Sequence, residues 1–243
     1  MKKRRLDDIL VERGLIAKKE EAFVVVTEGR VFVDGQKAVS PGQAVGMNAK
    51  IAVRDERQYV GRGAYKLAAA VKEFKPHISG AVCADIGAAT GGFTEVLLEN
   101  GAAKVYAIDT AKGKLDQKIR EHPRVVVMEE TNALFLASLP ERVDLVTIDV
   151  SFTSLRLIFS VLKKFLKQDA RVIGLFKPQY EVPKRALKHG VVRDEGERRE
   201  ALEAFVGWAE AGGWNILGTM TSPIRGSEGN IEYLVYACVR VGK

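Results

Sequence analysis

The chain has 243 residues and is 47% hydrophobic, which is enough for one large domain or two modest domains with buried cores. Its 38 Lys and Arg residues outnumber its 31 Asp and Glu residues, and the net charge of +7 suits a polyanionic partner. Cys83 and Cys238 lie in apolar, strand-like runs, and no metal-ligand cluster, membrane-spanning run or signal peptide is evident. We therefore expect a cytoplasmic protein with buried thiols and no metal.

Residues 1–58 are predicted to form a small, separate α+β domain. Apolar residues recur at helical spacing over 6–11 and stop before Gly14, and a second helix is expected over 20–27. Short strands should follow these helices, and a charged linker should join this domain to a second one. The expected strands are 30–35 and 50–53, the linker is 54–58, and the second domain is 59–243.

Basic side chains of this domain and of the segment after it are candidates for contact with RNA phosphates. Phosphate contact needs only positive charge on one face, so the signal has low specificity. An ordinary solvated basic face is the alternative, because acidic residues are interleaved throughout. The candidates are Lys2, Lys3, Arg4, Arg5, Arg13, Lys18, Lys19, Arg30 and Arg62.

The second domain alternates strands with helices, which predicts an α/β fold with a doubly wound, mostly parallel sheet. An Ala-rich helix over 64–74 comes first, and Lys66 lies in its first turn. The helix dipole disfavours a cation there, which hints at a function for Lys66. Segment 221–230 leaves no room for a helix, so the last two strands are expected to form an antiparallel pair. Strands are predicted near 81–85, 104–109, 124–128, 143–149, 171–177, 214–220 and 231–240.

A glycine-rich turn between the first of these strands and a helix over 93–99 predicts a site for a nucleoside cofactor. Glycines are needed where the backbone passes close to a ligand or takes a positive φ, and the free N–H groups of the helix point at the turn. Asp109 ends the next strand, where a carboxylate is well placed to hold a ribose diol. The candidate residues of the turn are Asp85, Gly87, Ala88, Gly91, Gly92 and Phe93.

The spacing in this turn favours S-adenosylmethionine over a dinucleotide. Dinucleotide sites have the pattern G-x-G-x-x-G, whereas this chain has D-x-G-x-x-x-G-G from Asp85 to Gly92. A carboxylate before the first glycine would repel a pyrophosphate, but it could accept a hydrogen bond from the ammonium of S-adenosylmethionine. A tight strand-to-helix turn without a ligand is the alternative.

The motif D-x-G-A-A-T-G-G-F at 85–93, with A-I-D following at 107–109, resembles the FtsJ-type S-adenosylmethionine-dependent ribose methyltransferases. With four further motifs, the chain is similar over nearly its whole length to the TlyA family, also named hemolysin A. Its N-terminal domain resembles the alpha-L RNA-binding domain of the ribosomal protein S-four type, although Lys18-Lys19 stand where that family usually has Ser-Arg. The four motifs are G-R-G-A-Y-K-L at 61–67, T-I-D-V-S-F at 147–152, L-F-K-P-Q-Y-E at 175–181 and G-N-I-E-Y at 229–233.

Four charged residues are expected to converge on the methyl donor. Asp149 and Lys177 end neighbouring predicted strands, and Lys66 and Glu232 should approach the same edge of the sheet. The set matches the Lys-Asp-Lys-Glu tetrad of the ribose methyltransferases that the chain resembles. Lys177 is the candidate base, because burial and a neighbouring Lys66 both favour a neutral amine. Asp149 would orient Lys177 and hold the charged end of the donor, and Glu232 would position Lys66 or the ribose. A structural ion pair and ordinary surface positions are the alternatives.

The resemblance implies methylation of the ribose 2′-hydroxyl of a cytidine in ribosomal RNA, and it implies that Asn132 reads the adenine of the cofactor. The expected partner is therefore ribosomal RNA or a ribosomal subunit, without a membrane partner or an obligate protein partner. Base methylation is disfavoured, because D-V-S-F at 149–152 lacks the Asn/Asp-Pro-Pro-aromatic arrangement. A membrane-lysing hemolysin stays open as an alternative, although no spanning segment or secretion signal supports it. A non-catalytic RNA-binding or ribosome assembly factor is the other alternative, against which the complete tetrad argues.

Overall fold

The computed structural model describes residues 3–54 and 59–240. The chain divides into two compact units, Met1–Arg62 and Gly63–Lys243. Lys2 and residues 55–58 of the expected linker lie outside the described residues. The expected boundary between residues 58 and 59 therefore stays a prediction.

The first unit is a small α+β fold in which two helices share a core with short strands. Both expected helices are confirmed, and Gly14 takes a φ of +65° just after the first of them. Asp34 and Gly35 have φ values of +50° and +82°, as a tight hairpin turn requires. Strand β1 pairs antiparallel with β4, and β2 pairs antiparallel with both β3 and β5. The sequence missed β1, β3 and β4, because strands of two or three residues are too short to display an alternating pattern. The elements are β1 (Lys3–Arg5), α1 (Leu6–Glu12), α2 (Lys19–Thr27), β2 (Val31–Val33), β3 (Gln36–Lys37), β4 (Ala44–Gly46) and β5 (Ile51–Val53).

The second unit contains all seven of the strands that the sequence predicted for it. Their ends agree with the expected positions to within two residues, except that β10 begins five residues earlier than expected. Two single turns of 3₁₀ helix, Pro178–Tyr180 and Lys184–Ala186, follow β10. The elements are α3 (Gly63–Phe74), β6 (Val82–Ile86), α4 (Gly92–Glu99), β7 (Lys104–Ile108), α5 (Gln117–Arg120), β8 (Val125–Met128), β9 (Val143–Ile148), α6 (Leu155–Leu162), β10 (Leu166–Phe176), α7 (Glu195–Ala211), β11 (Trp214–Thr221) and β12 (Tyr233–Val239).

The seven strands form one sheet in the order β11-β12-β10-β9-β6-β7-β8. Strands β6 to β10 are parallel to one another, while β12 runs antiparallel to both β10 and β11. The predicted fold class and the antiparallel last strand are therefore confirmed. The chain order reverses at β6, which has β9 on one side and β7 on the other. Ligands of such sheets bind beyond the carboxyl ends of the strands at this reversal.

Helices pack on this sheet through buried apolar side chains. Helix α6 packs against β10, and α7 packs against β11. The Phe159 ring lies 5.3 Å from the ring of Phe205 and 4.8 Å from that of Trp214, measured between centroids. Cys83 is a buried free thiol as expected, whereas the free thiol of Cys238 is only partly buried. These contacts pack the aromatic side chains of α6, α7 and β11 against one another.

Candidate active site

A cavity of about 560 Å³ lies at the carboxyl ends of β6, β7 and β9. This volume is within the range of small-molecule and cofactor sites, roughly 300–1,000 Å³. Four of the residues expected to hold a cofactor form part of its wall, namely Gly87, Asp109, Asn132 and Asp149. The cavity therefore lies at the reversal of strand order, where the sequence predicted a nucleoside site.

Two polar side chains of the cavity wall are held in place by backbone amides. The carboxylate of Asp109 accepts hydrogen bonds from the N–H groups of Ala89 at 2.8 Å and Ala111 at 2.7 Å. Ala89 makes its bond from a φ of +46°, a backbone conformation that is uncommon for a residue other than glycine. The side-chain oxygen of Asn132 accepts from the N–H of Leu134 at 3.0 Å. Both side chains are thus oriented by the fold itself.

Gly87 brings the turn after β6 into close contact with the turn after β9. It has a φ of +85°, and a Cβ at this position would collide with the carbonyl oxygen of Asp149. The N–H of Asp149 in turn donates to the carbonyl of Ile86 at 2.9 Å. Only glycine combines this φ with so close an approach, so Gly87 is required at the cavity wall.

Asp85 does not line the cavity, and its expected contact with a ligand ammonium has to be corrected. Its side chain is fully buried, and its two oxygens accept from the hydroxyls of Thr94 at 2.7 Å and Thr147 at 2.9 Å. Burial raises the pKa of Asp85 to about 7, against the opposing effect of these hydrogen bonds. The residue therefore supports the turn from within the sheet.

The later residues of the glycine motif also serve packing. Ala88 and Phe93 are buried, and Gly92 begins α4. Gly91 has a φ of +94°, and a Cβ on it would lie 3.0 Å from side-chain carbons of Leu115 and Ile119. These four residues are not among those that line this cavity, so their expected contact with the cofactor stays a prediction. Wall residues that the sequence analysis missed include Ala89, Thr110, Ala111, Lys114, Thr131 and Ser151. Most of them stand within two residues of an expected contact, so the neighbourhood of the strand ends was the signal available for finding them.

The four expected catalytic residues form one continuous chain of charges. The ammonium of Lys66 lies 2.6 Å from the Glu232 carboxylate and 3.9 Å from that of Asp149. The ammonium of Lys177 lies 2.6 Å from the other oxygen of Asp149. The side chains of Lys66, Lys177 and Glu232 are less than 10% exposed, and that of Asp149 is 20% exposed. Asp149 is therefore the point at which this chain of charges meets the cavity.

Strand direction explains how three of these residues meet. Asp149 follows β9 and Lys177 follows β10, which are parallel neighbours. Glu232 precedes β12, whose first residue pairs with the last residue of β10 because the two strands are antiparallel. A buried charge is costly unless it is paired, and here each one is.

The contact between Asp149 and Lys177 changes the protonation state that was expected for Lys177. Burial alone would raise the pKa of Asp149, but Lys177 and Lys66 hold it below its usual range. Burial alone would lower the pKa of Lys177, but the carboxylate of Asp149 outweighs burial and raises it. Lys177 is thus an ammonium in this arrangement rather than the partly neutral amine expected from the sequence. The reason is the direct contact with the Asp149 carboxylate, to which the negative charge of Glu232 adds.

Further residues that the sequence analysis did not assign support this chain of charges. The ammonium of Lys177 donates to the hydroxyl of Ser151 at 3.2 Å. A Cβ on Gly226 would lie only 2.5 Å from an oxygen of Glu232, so glycine leaves room for that carboxylate. The buried Asn230 accepts from the N–H of Val192 at 3.0 Å and donates to the carbonyl of Gly190 at 2.9 Å. These contacts hold the segment that leads into Glu232.

Most of the expected RNA contacts have partners within the first unit. Arg4 pairs with Glu12 at 2.7 Å, and Lys19 pairs with Asp8 at 2.7 Å. Arg5 makes two hydrogen bonds with Asp7, at 2.6 and 3.0 Å, and Arg30 pairs with Glu28 at 3.1 Å. Arg13 donates to the carbonyls of Met47 and Ala49, and Arg62 lies over the ring of Phe23. Lys3 and Lys18 are exposed. The interleaved acids therefore neutralise much of this face, and its contact with RNA stays a prediction.

Over 3–54 and 59–240, no helix has the length and the apolar run needed to cross a bilayer. Within the same ranges, no three His, Cys, Asp or Glu side chains are grouped so that they could hold a metal ion.

Comparisons with known proteins match both units. Residues 59–238 match the family model for FtsJ-like methyltransferases, and residues 4–51 match the model for the S4 domain. The chain is 41% identical over 237 residues to the 16S/23S rRNA (cytidine-2′-O)-methyltransferase TlyA of Mycobacterium tuberculosis, covering 96% of this chain and 88% of that protein. It is 34% identical to Hemolysin A of Brachyspira hyodysenteriae, covering 96% of this chain and 98% of that one. Among solved structures, a Streptococcus thermophilus protein with a hemolysin name is 34% identical with a TM-score of 0.76, covering 99% of this chain and 90% of that one.

Proposed function

The chain belongs to the family of FtsJ-like methyltransferases, and from this premise we propose that it transfers a methyl group from S-adenosylmethionine to a ribose 2′-hydroxyl of ribosomal RNA. The resemblance that the sequence motifs predicted is thereby confirmed at the level of the family. The observation that carries the proposal is the chain of charges from Glu232 to Lys177, which meets the wall of a cofactor-sized cavity at Asp149.

The wall of the cavity has the donors and acceptors that S-adenosylmethionine requires. The carboxylate of Asp109, held by two amides, would accept from the ribose hydroxyls, and Asn132 would read the adenine edge. The backbone at Gly87 allows a close approach, and Asp149 would hold the positive end of the molecule. When bound, the cofactor supplies a methyl group activated by a sulfonium.

Lys177 is our candidate for the base that removes the proton of the 2′-hydroxyl. Its raised pKa means that it has to lose a proton before it can accept one. A positive charge brought next to Asp149 competes with the ammonium for that carboxylate and so favours the neutral amine. The hydroxyl oxygen would then bond to the methyl carbon as the bond from that carbon to the sulfonium breaks and the sulfur keeps the electron pair, while the hydroxyl proton passes to Nζ of Lys177. Lys66 and Glu232 would keep Asp149 in place throughout.

Ribosomal RNA is the substrate that the first unit and the relatives support. The S4 match, the net charge of +7 and the name of the Mycobacterium tuberculosis relative all favour an RNA target. A cytidine is the target nucleoside we propose, on the strength of that name. The reaction that we propose would accordingly take place in the cytoplasm.

The test is to incubate the purified protein with labelled S-adenosylmethionine and ribosomal subunits or ribosomal RNA, and then to map the methylated nucleotide. We expect a 2′-O-methyl mark that Lys177→Ala lowers by about 10²- to 10⁴-fold in rate while cofactor affinity is retained. Lys167→Ala is the matched control, because Lys167 pairs with Asp144 through a similar contact of 2.9 Å on the same two strands.

Two outcomes would contradict the proposal. Cofactor binding without transfer to any ribosomal RNA would indicate a non-catalytic role or another RNA. Substantial residual transfer by Lys177→Ala would remove Lys177 as the base, while leaving the reaction itself intact.

A further inference from the structure

Two segments of the candidate active site run side by side and contact each other repeatedly. One is the loop 149–154 between β9 and α6, and the other is the segment 177–181 after β10. Lys177 contacts both Asp149 and Ser151, and the ring of Tyr180 lies 5.6 Å from that of Phe152. The catalytic pair is therefore one end of a longer contact between the two segments.

Glu181 makes the contact at the other end. Its side chain is 3% exposed, and one of its oxygens accepts from the N–H of Leu155 at 2.6 Å. Its second oxygen accepts from the hydroxyl of Ser154 at 2.8 Å and lies 3.5 Å from the guanidinium of Arg156. A carboxylate at the first N–H groups of a helix satisfies donors that have no partner within the helix. Glu181 thus fixes both the end of the loop and the start of α6.

The loop held by Glu181 is not in a relaxed conformation. Phe152 has a φ of +58°, in the left-handed region that non-glycine residues avoid, and its side chain is largely exposed. Such a conformation persists only when surrounding contacts over-determine it. The loop is bounded by Asp149 at one end and by the contacts of Glu181 at the other. Loss of those contacts would let the loop relax and move Asp149 away from Lys177.

We propose that Glu181 is a positioning residue for methyl transfer: its carboxylate locks the loop that carries Asp149 against the segment that carries Lys177. The inference rests on the proposed function, because it takes the Asp149–Lys177 pair as the reacting centre. Glu181 acts through these residues. Its loss should lower the rate of the chemical step and leave the binding of substrates nearly unchanged.

Glu181→Gln tests the inference with little change of shape. The amide keeps an oxygen for the N–H of Leu155 but loses the negative charge facing Arg156 and one of its acceptor oxygens. We expect kcat to fall about 10- to 100-fold, the effect of a small misplacement of reacting groups. The KM for RNA and the Kd for S-adenosylmethionine should stay within about twofold, and Glu181→Asp should be intermediate.

Asp144→Asn is the matched control. Asp144 also accepts from a backbone N–H, that of Val82 at 2.9 Å, and pairs with a cation, Lys167, at 2.9 Å. It lies at the opposite end of β9 from Asp149. Its variant should lose some thermal stability and keep kcat.

Hydrogen exchange measured without substrate is the second readout. In Glu181→Gln, amides 150–156 should exchange faster than in the parent protein, whereas Asp144→Asn should leave them unchanged. If kcat of Glu181→Gln stays within twofold of an active parent protein, the inference fails and the proposed function stands. If the parent protein methylates no ribosomal RNA, the proposed function fails, and unchanged exchange at 150–156 would then overturn the locking role by itself.

Discussion

Strands β9 and β10 carry a Lys–Asp pair at each of their two ends. At the amino end, Asp144 and Lys167 lie 2.9 Å apart with side chains that are 37% and 46% exposed. At the carboxyl end, Asp149 and Lys177 lie 2.6 Å apart with side chains that are 20% and 9% exposed. The chemistry of the two pairs is the same and the strands are the same. What differs is the environment: among the residues that the structure describes, the second pair adjoins two further buried charges, Lys66 and Glu232, and the first pair adjoins none.

Position in the sheet therefore sets how deeply each ion pair is buried, and under the proposed function only the buried pair takes part in the reaction. An exposed pair contributes about 0–1 kcal/mol and is screened by salt. A buried pair cannot lose one member cheaply, because the other member is then left buried and uncompensated. The carboxyl edge concentrates such charges where the backbone turns of β6, β7 and β9 leave a cavity. The experiments below test this contrast between the two edges.

The largest expected effect is on stability when the central carboxylate is removed. Asp149→Ala leaves the ammonium groups of Lys66 and Lys177 short of one buried counter-charge, so the free energy of unfolding should fall by about 3–5 kcal/mol. Asp144→Ala should cost only about 1–2 kcal/mol, from an exposed pair and one backbone hydrogen bond. Urea denaturation of the two variants measures both values. Equal losses of unfolding free energy in Asp149→Ala and Asp144→Ala would contradict the expected difference between the two edges of the sheet.

A second expectation concerns stability as a function of pH. Burial raises the pKa of Asp85 to about 7 from an ordinary value near 3.8, so the folded protein holds this proton more tightly than the unfolded chain does. The resulting stability is fully present below about pH 4 and is lost as the pH rises to about 7, by about 4 kcal/mol. Asp85→Asn should remove this loss.

For Asp144, the change of stability with pH has the opposite sign to that expected for Asp85. Although burial opposes it, the hydrogen bonds from Lys167 and Val82 lower the pKa of Asp144. Asp144 therefore contributes stability at a pH above its pKa in the unfolded chain. This stability is lost as the pH falls through its lower pKa in the folded protein. The free energy of unfolding of Asp144→Asn, measured by denaturation between pH 4 and 7, should fall with rising pH as it does in the parent protein. If the free energy of unfolding of Asp85→Asn falls with pH just as in the parent protein, Asp85 is not the cause of that loss of stability.

The pH dependence of the reaction gives a third expectation. If a neutral Lys177 is the base, its raised pKa leaves only a small reactive fraction at pH 7. The kcat/KM for RNA should then rise with pH between pH 7 and 9, by up to about tenfold per pH unit. Lys167→Ala should give the same profile, because that lysine lies at the other edge. A flat profile would argue against proton removal by Lys177.

The smallest expected effect comes from adding one methyl group next to Glu232. Gly226→Ala places a Cβ about 2.5 Å from its carboxylate oxygen, which has to move away and loosen its contact with Lys66. We expect kcat to fall about tenfold, with a modest loss of stability. Gly207→Ala, in α7 where a Cβ meets nothing within 4 Å, should keep kcat and raise stability by about 0.5–1 kcal/mol. Thermal melts measure the stability of Gly226→Ala and Gly207→Ala, and steady-state kinetics measure their kcat.

The sequence by itself determined the order of elements in the second unit and the edge of the sheet that carries the site. Apolar runs separated by glycine-rich turns specified parallel strands, and residues that end such strands must meet at one edge. Asp109, Asp149 and Lys177 could therefore be assigned to one crevice without coordinates. Gly87 could be assigned with them, because its turn needs a positive φ.

Tertiary structure alone decided which residues of the glycine motif reach the cavity and how the charges are paired. Asp85 and Gly91 belong to the same motif as Gly87, yet both face the interior of the protein. Asp85 accepts hydrogen bonds from Thr94 and Thr147. Gly91 lies against Leu115 and Ile119. The bond between Lys66 and Glu232 joins positions 166 residues apart, and it determines that Lys177 is left to pair with Asp149. Periodicity and spacing report what lies near in the chain, whereas burial and pairing depend on groups that only the folded sheet brings together.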